Sequence, residues 1–574
     1  MPSDKETAVT DAPATYALEL FCLLGALGRA AVFDPAFTIR AAVRLSGPVD
    51  PDVLRQALDD VVGNHDALHS TLTLEPEIRQ CVQAPTPVRL TVRDLEDADH
   101  GGDRNGRQQA DRDQADRYQP GRDQPHRDQT GRDRVASAFV AETVAGRFPP
   151  DELPTLWAAL GRLAADDWVL VLVTHHLWSD AWSMRVILAD LAAAYAARAE
   201  GEVPELSEGM AYAAVAEDDR SPRMRERIDE RLGYWRERLA DMDSPLRPEN
   251  PYSEIRDGVK AEHTFVLGGP GEASLEAVLA CARRNRTTPF VVLLSAFMLW
   301  LRAATGSEDI AVPIVTAGRL PEEWETVGLF SNSIVMRADL AAAVTGRDVL
   351  RTVHAVCAEA YRHEIPLLRL LEEVPRAAEL VVDPDRALPM FQLIQFPDGR
   401  GGQAFGPDVQ ARPIEMPGDS ANAQLPDYLW TLELGDRLVG RVYSDPKTFG
   451  ATTIERQTQE YRRILDQLVR DPDAALAGLG PRRASRDERE LESEYTAPRT
   501  AAEADLAELW SEQLGVAPVG IHDDFFELGG HSLLAAGLQL EIERRFGVEV
   551  PSWVLFLQPT IAGIAEALAE AGVA

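Results

Sequence analysis

A polar stretch near the C-terminus divides this sequence into a long part and a short part. Residues 480–500, GPRRASRDERELESEYTAPRT, are mostly charged or small, a composition typical of a linker. The chain has 574 residues, which is more than one hydrophobic core usually organises. We therefore expect a large unit, a linker at 479–500 and a small, mostly helical unit at 501–574.

The composition indicates a folded protein and disfavours several functional classes. Hydrophobic residues make up 45% of the sequence and the formal net charge is −35, so clustered Lys and Arg for nucleic-acid phosphates are not expected. Cys22, Cys81, Cys281 and Cys357 are far apart and form no CxxC pair, which predicts reduced thiols and no metal site. No secretory signal is visible, and no apolar run is long enough to cross a membrane. A cytoplasmic location is expected.

Residues 98–135 differ from the rest of the large unit. They contain almost no aliphatic side chains and repeat Arg-Asp-Gln at 112–114, 122–124 and 127–129. Low hydrophobicity with many charges cannot offset the entropy cost of ordering a segment. We therefore predict that 98–135 is a disordered insertion in a surface loop.

Elsewhere the large unit alternates strand and helix patterns. Residues 38–47, TIRAAVRLSG, alternate apolar and polar side chains as a strand does, and a helix with an Asp cap is predicted over 50–65. Two helices are expected to meet at Thr287–Pro289, the second a buried core helix. Residues 427–444, DYLWTLELGDRLVGRVYS, predict a hairpin, and a terminal helix follows. The class is α/β.

The stretch THHLWSDAWS, Thr174 to Ser183, follows the apolar run WVLVLV directly. It brings His175, His176 and Asp180 to the end of a buried strand. Three interpretations are open from the residues alone: metal ligands, a catalytic base with its support, or polar residues that end a strand. The metal interpretation is the weakest, because the H-E-x-x-H pattern is absent and no acidic third ligand stands at metal spacing.

The short C-terminal unit contains DDFFELGGHSLLA, in which two glycines lead into Ser532. An amphipathic helix is predicted to start there, and the glycines allow a tight turn before it. Ser532 could serve only as the helix N-cap. A hydrolase nucleophile is the other alternative, but Leu534 stands where the second glycine of G-x-S-x-G would be.

This stretch resembles the attachment motif of peptidyl carrier domains in nonribosomal peptide synthetases. The flanking YTAPRT, LAELWSEQLGV and PTIAGIAEAL resemble the same family, so the likeness spans 495–572. It implies a small all-α four-helix bundle whose Ser532 carries 4′-phosphopantetheine, attached by a phosphopantetheinyl transferase. From Ala501 onward there are 12 Asp or Glu against two Arg, a net charge of −10, which suits docking on basic partners.

The large unit resembles the condensation domain of the same synthetases over about residues 15–478. HHLWSDA resembles the signature of two histidines, three variable residues, aspartate and glycine, and the match is at His175, His176 and Asp180. NHDALHSTL, VTAGR, VGLFSNSIVMR and ALPMFQLIQF resemble further family motifs in the family's order. The resemblance implies two lobes of chloramphenicol-acetyltransferase type, which we place at 15–205 and 206–478.

The resemblance also implies roles for individual residues. His176 would take or hydrogen-bond the proton of the acceptor amine, while His175 would be structural. Asp180 would shape the site by pairing with an arginine, Arg319 as first choice and Arg337 as second. The expected catalytic positions are therefore His176, His175 and Asp180, with Arg319, Arg337 and Asn332 as structural support and Ser532 as the cofactor-binding residue.

This sequence departs from the family pattern at a few positions. Ala181 stands in place of the usual glycine, and His69 in place of an arginine. Ser331 and Ser333 replace valine and threonine around Asn332. These differences are expected to retune the site for its substrates or to reduce activity, and the retained His176 and Asp180 favour activity.

The order of the two units predicts how the protein works. No adenylation domain lies between them, so Ser532 is expected to be loaded in trans by a stand-alone adenylating enzyme. An upstream donor carrier protein would supply the acyl group, and a downstream synthetase or release enzyme would take the product. The alternatives are condensation with a free amine or alcohol, and a non-catalytic scaffold that presents the carrier. No nucleic-acid or membrane partner is expected.

Overall fold

The structure of this chain is a computed structural model that divides into two compact units, Met1–Ala474 and Ala475–Ala574. It describes residues 10–26, 33–35, 37–96, 124–242, 246, 261–269, 272–382, 388–395, 404–414, 428–435, 437–446, 448–476, 484–485, 493–514, 516–525, 527–528, 532–548, 559–570 and 572. The lobe and linker bounds given above stay predictions.

Helices and strands alternate along the first unit. Its helices are α1 (Tyr16–Ala26), α2 (Pro51–Asn64), α3 (Gln124–Val144), α4 (Ala181–Ala199), α5 (Tyr212–Asp219), α6 (Pro222–Leu239), α7 (Leu275–Arg284), α8 (Pro289–Thr305), α9 (Gly346–Arg362), α10 (Leu367–Glu373), α11 (Pro375–Val382) and α12 (Ala451–Arg470). Its strands are β1 (Thr10–Pro13), β2 (Thr38–Ser46), β3 (Ser70–Thr73), β4 (Arg79–Val82), β5 (Leu90–Asp94), β6 (Leu156–Ala164), β7 (Asp167–His175), β8 (Ala261–Leu267), β9 (Asp309–Thr316), β10 (Asn332–Asp339), β11 (Met390–Gln395), β12 (Gln410–Pro413), β13 (Tyr428–Leu434) and β14 (Leu438–Ser444).

The strand that carries the histidines lies inside a five-stranded sheet. Its order is β12-β2-β7-β6-β5, and all nine residues of β7 are buried. That burial fits the continuous apolar run, because a central strand covered on both faces needs no polar alternation. The edge strand β12 comes from the range that we assigned to the second lobe, yet it pairs with β2, Gln410 opposite Ser46.

The second large sheet has the order β10-β9-β11-β13-β14-β8. Its β13–β14 hairpin confirms the predicted hairpin, and α12 confirms the terminal helix. The two predicted helices are α7 and α8, and every residue of α8 from Val291 to Leu301 is buried. The predicted core helix is therefore confirmed. A third sheet, β1-β4-β3, lies in the first part of the chain.

The segment 98–135, for which we predicted disorder, overlaps a helix in its last part. Helix α3 starts at Gln124, inside that segment. The cause is a run of apolar side chains farther along the helix, Ala136, Phe139, Val140 and Val144, which are buried against the sheet. Burial of this face extends helical order into a polar sequence that would not form a helix alone. The earlier part of the prediction, 98–123, lies outside the described residues.

The second unit contains α13 (Ala501–Leu514), α14 (Ser532–Phe546) and α15 (Ile561–Glu570). Two short strands, β15 (Ala484–Ser485) and β16 (Val516–Ala517), pair in parallel. The three helices share an apolar core that includes Trp510, Phe525, Leu538 and Ile564. The described residues thus contain three helices of the four predicted.

No single helix among the described residues is long and apolar enough to cross a membrane. Helices α7 and α8 pass the length and composition test only as a pair, and they are bent by 101° at the break between them.

Candidate active site

A strand, a short turn and a helix build the site around the two histidines. His175 is the last residue of β7 and pairs in register with Thr38 of β2. The chain then turns through residues 176–180 and enters α4, whose N-cap is Asp180. His176 is held at the turn because its backbone N–H donates to the carbonyl of Phe37 at 2.9 Å. Both histidines are buried.

The imidazole of His176 is oriented by a hydrogen bond to a backbone carbonyl. Its Nδ1 lies 2.7 Å from the backbone carbonyl oxygen of Ser179. A carbonyl oxygen only accepts, so Nδ1 carries the proton. In the neutral ring the lone pair is therefore on Nε2, the atom that can receive a proton from a nucleophile. This arrangement fits a general base or a hydrogen-bond acceptor in acyl transfer.

Two aromatic rings that the sequence interpretation missed surround His176. The ring centroid of Phe37 lies 4.9 Å from that of His176, and the centroid of Phe21 lies 5.6 Å away in an edge-on arrangement. Phe37 directly precedes the strand that was predicted to begin at Thr38. This position is the sequence signal that could have pointed to Phe37 as a neighbour of the histidines. Phe21 comes from α1, so no local pattern connects it with the histidines.

His175 is engaged through both ring nitrogens. Its Nε2 lies 3.2 Å from the carbonyl oxygen of Asp34, and its Nδ1 accepts from the backbone N–H of Leu177 at 3.3 Å. Burial lowers the pKa of His175 to about 4. A neutral ring with both nitrogens occupied has no free position for a substrate proton. This geometry supports a structural role, which stays a prediction.

Asp180 contacts Arg319 rather than either imidazole. Arg319 Nη2 lies 3.0 and 3.2 Å from the two carboxylate oxygens, which also accept the backbone N–H groups of Ser183 and Phe330. The guanidinium lies over the Phe330 ring, 3.8 Å from its centroid. Side chains of Asp180 and Arg319 are 3% and 1% exposed. The pair thus joins the start of α4 to the loop between β9 and β10.

Ser183 adds a second connection that the sequence interpretation missed. Its Oγ accepts a hydrogen bond from Arg319 Nη2 at 2.7 Å. The same hydroxyl donates to the carbonyl oxygen of Gly328 and accepts from the backbone N–H of Gly328. Gly318 precedes the arginine with φ +63°, and a Cβ there would lie 1.9 Å from the carbonyl oxygen of Phe330. Only glycine fits this close approach. The loop is therefore built to deliver Arg319 to the start of α4.

The other two support residues lie elsewhere. Arg337 on β10 pairs with Asp309 and Asp241 and has no contact with Asp180 among the described residues. Asn332 donates to Glu364 Oε1 at 3.0 Å and to the carbonyl of Ile365 at 2.9 Å. It fixes the segment after α9 to the start of β10. Their support roles stay predictions.

Three of the departures from the family pattern, Ala181, His69 and Ser333, are accommodated. Ala181 is the first residue of α4 and is exposed, and among the described residues only Arg286 is a non-glycine with positive φ. The methyl group of Ala181 therefore causes no backbone strain. His69 Nδ1 lies 2.6 Å from the carbonyl of Gln83, and Ser333 Oγ donates to the carbonyl of Ile314 at 2.8 Å. No cluster of three metal-ligating side chains occurs among the described residues.

Ser532 is the first residue of α14. The start of a helix exposes backbone N–H groups and favours negative charge, so a phosphodiester fits this position. The helix itself is anchored through Ala535, Leu538 and Ile542, which are buried in the core of the second unit. The backbone position therefore suits attachment of 4′-phosphopantetheine.

Comparisons with known proteins identify both parts of the chain. The Condensation domain model matches residues 121–480, and the Phosphopantetheine attachment site model matches residues 504–568. The second match shows 4′-phosphopantetheine as the covalent cofactor. A linear gramicidin synthase polypeptide from Brevibacillus parabrevis is 27% identical over 501 residues, which cover 84% of this chain and 6% of that protein. The chain thus spans a small part of this relative's length.

Solved structures show the same fold. SgcC5 from Streptomyces globisporus has a TM-score of 0.67 and 28% identity, covering 81% of this chain and 100% of that one. The first condensation domain of the calcium-dependent antibiotic synthetase has a TM-score of 0.61 and 18% identity, covering 82% and 99%. The predicted fold class of chloramphenicol-acetyltransferase type is confirmed. Because the condensation model alone matches more than half of the sequence, this chain belongs to the condensation domain family of nonribosomal peptide synthetases, with a phosphopantetheine carrier domain after it.

Proposed function

We propose that this protein joins a donor acyl or aminoacyl thioester from a partner carrier to an aminoacyl acceptor tethered on its own Ser532. Condensation domains form amide bonds by acyl transfer. The observation that carries the proposal here is the hydrogen bond from His176 Nδ1 to the Ser179 carbonyl. It leaves the Nε2 lone pair for the acceptor amine.

The reaction needs a proton acceptor and a fixed geometry. The amine nitrogen attacks the thioester carbonyl carbon, the C–S bond breaks, and the amine proton passes by way of His176 Nε2 to the leaving thiolate. A buried imidazole in one orientation contributes both proton transfer and alignment. Asp180 and Arg319 act at a distance from the reacting atoms: they hold the turn that carries His176.

The carrier unit would supply the acceptor substrate. When bound, 4′-phosphopantetheine offers a thiol that holds an aminoacyl group as a thioester. Ser532 is the attachment residue that we propose, because it is the first residue of α14 and lies within the matched attachment region. Buried residues of this unit, among them Leu506, Phe525, Leu538 and Ile564, form the core that fixes that helix.

We propose loading in trans by a stand-alone adenylating enzyme. The condensation match ends at residue 480 and the attachment-site match begins at 504, so no adenylation domain fits between them. An upstream carrier would present the donor, a phosphopantetheinyl transferase would modify Ser532, and a downstream synthetase or release enzyme would take the product.

Reconstitution tests the proposal. Ser532 can be loaded from a panel of aminoacyl-coenzyme A substrates by a phosphopantetheinyl transferase, with acyl N-acetylcysteamine thioesters as donors. We expect the intact mass of wild type to show the coupled product on Ser532. His176→Ala should lose it while retaining the aminoacyl load, and Ser532→Ala should accept no load. A His176→Ala variant as active as wild type would instead favour the non-catalytic scaffold.

A free alcohol acceptor is the second candidate. SgcC5, which is 28% identical over the condensation fold, was crystallised with (R)-(-)-1-(2-naphthyl)-1,2-ethanediol and sucrose. His176 Nε2 could accept a hydroxyl proton as well as an amine proton. The same reconstitution with soluble amines and diols distinguishes the two: a product released into solution, with Ser532 carrying the donor, would favour this candidate.

A further inference from the structure

We propose that Phe37 is a positioning residue for His176, which keeps the imidazole in the Nδ1–H form that faces Ser179. The inference rests on the proposed role of His176 in condensation. It concerns a side chain outside the signature motif.

Phe37 contacts the histidine pair in three ways. Its carbonyl accepts the backbone N–H of His176 at 2.9 Å. Its ring lies 4.9 Å from the His176 ring at an interplanar angle of 32°, and 6.0 Å from the His175 ring in an edge-on arrangement. Its side chain is fully buried. One residue thus constrains the main chain and the ring of His176 together.

Phe21 completes the enclosure. Its ring lies 5.6 Å from the His176 ring at 64° and 5.8 Å from the Phe37 ring. Phe21 belongs to α1, while Phe37 immediately precedes β2, so two separate elements confine the imidazole. Close-packed aromatic neighbours restrict ring rotation, because rotation needs space that the packing does not leave.

The enclosure matters because the hydrogen bond alone is weak. A 180° rotation of the imidazole would move Nδ1 away from the Ser179 carbonyl and turn a carbon atom toward it. A single hydrogen bond contributes only modestly to such a preference. Apolar rings oppose the rotation without offering a group that would compete for the Nε2 lone pair. Phe37 therefore preserves both the tautomer and the direction of the working nitrogen.

The nitrogen resonances of His176 test this directly and without substrate. In ¹⁵N-histidine-labelled holo protein, long-range proton–nitrogen spectra distinguish Nδ1–H from Nε2–H, and His176→Ala identifies the signal among the 11 histidines. We expect wild type to show one Nδ1–H form. Phe37→Leu should give mixed or exchange-broadened signals, because the ring is lost while the backbone carbonyl remains.

A matched control separates positioning from general destabilisation. Phe139 is also a buried phenylalanine of the first part of the chain, but it belongs to a different cluster, which includes Leu163 and Val169. Phe139→Leu should lower stability and leave the His176 signal unchanged. Phe21→Leu is the second test variant if Phe37→Leu fails to fold. An unchanged signal in the folded Phe variant, or equal disturbance by Phe139→Leu, would overturn the proposal.

Activity supplies an independent readout. With aminoacyl-loaded Ser532 and the donor thioester that wild type uses best, Phe37→Leu should lower kcat about tenfold, as small misalignments do, with KM for the donor little changed. Phe139→Leu should leave kcat close to wild type. Should His176→Ala prove fully active, the proposed function fails, and the nitrogen spectra still decide whether Phe37 orients the ring.

Discussion

At the scale of single residues, the buried pair of Asp180 and Arg319 carries the largest expected effect on stability. Asp180→Asn keeps the shape of the side chain but leaves the Arg319 charge uncompensated in a dry environment. Removing one partner of a buried ion pair costs about 3–5 kcal/mol. We expect the free energy of unfolding, measured by urea denaturation, to fall by this amount and the condensation rate to fall with it.

Asp241 provides the matched control for that prediction. It pairs with Arg337, but its side chain is 82% exposed, and exposed pairs contribute about 1 kcal/mol or less. Asp241→Asn should therefore change stability little. Loss of rate in Asp180→Asn with normal stability would show instead that Asp180 acts on the reacting atoms.

His175 predicts a particular dependence of stability on pH. Burial holds its folded pKa at about 4, below the unfolded value of 6.5. Between these values the unfolded chain binds a proton that the folded chain does not, so stability is fully present above pH 6.5 and falls toward pH 4, by about 3 kcal/mol. The measurement is the free energy of unfolding of wild type against His175→Gln across this window.

The comparison with a variant is needed because other groups titrate with the opposite sign. Burial raises the pKa of Glu323 to about 7 and that of Asp219 to about 6. Each contributes stability as the pH falls through its folded pKa. Both are unchanged in His175→Gln, so the difference isolates the histidine. Parallel curves for the two proteins would contradict the burial of a neutral His175.

At the scale of elements, the pairing of β12 with β2 depends on one glycine. Gly47 follows β2 with φ +132°, and a Cβ there would lie 2.0 Å from the carbonyl oxygen of Asp408. Gly47→Ala should therefore displace the β12 segment. We expect a loss of at least about 1–3 kcal/mol from the backbone strain, and faster hydrogen exchange of the amides at Gln410–Arg412.

Gly63 is the control for this substitution. It lies in α2 with no atom within 4 Å of an added Cβ. Gly63→Ala should leave β12 in place and stabilise the protein by up to about 1 kcal/mol, because alanine favours a helix over glycine. Equal thermal midpoints for the two variants would mean that Gly47 is not under steric constraint.

Local sequence patterns predicted the helices and strands of this fold better than they predicted which of these elements pair or pack together. The apolar run before His175 and the Asp cap after it follow from neighbouring residues, so the β7–turn–α4 unit was visible in the sequence. The pairing of β12 with β2 joins residues several hundred positions apart, and no local signal encodes it. The start of α3 was missed because packing, and not local composition, sets it.

In the candidate site, the residues that belong to a sequence motif were likewise the predictable ones. His176 and Asp180 belong to one motif, and Arg319 came from a second motif of the family. Phe21 and Ser183 were missed, since their roles arise from tertiary packing. The side chain of Ser532 lies outside the described residues, so its assignment rests on the attachment motif and the start of α14.

At the scale of the whole molecule, the negative charge is denser in the residues from Ala501 onward than in the complete chain. The complete chain carries −35, and the residues from Ala501 onward carry −10 with only two arginines among their charged side chains. The partners proposed for this unit, above all the phosphopantetheinyl transferase and the adenylating enzyme, must approach this strongly acidic surface. Opposite charge on a partner accelerates encounter, and salt screens the attraction.

Loading of Ser532 should therefore slow as salt rises. At limiting carrier concentration, the rate at which a phosphopantetheinyl transferase modifies the protein is expected to fall severalfold between about 0.05 and 0.5 M NaCl, because the Debye length shrinks from about 14 to about 4 Å. Intact mass against time measures it. Glu527→Gln, exposed and close to Ser532 in sequence, should weaken the salt dependence, whereas Glu202→Gln, exposed on the other unit, should leave it unchanged. A salt-independent rate in wild type would mean that shape and apolar contacts select the partner, and that the acidity of this unit serves solubility instead.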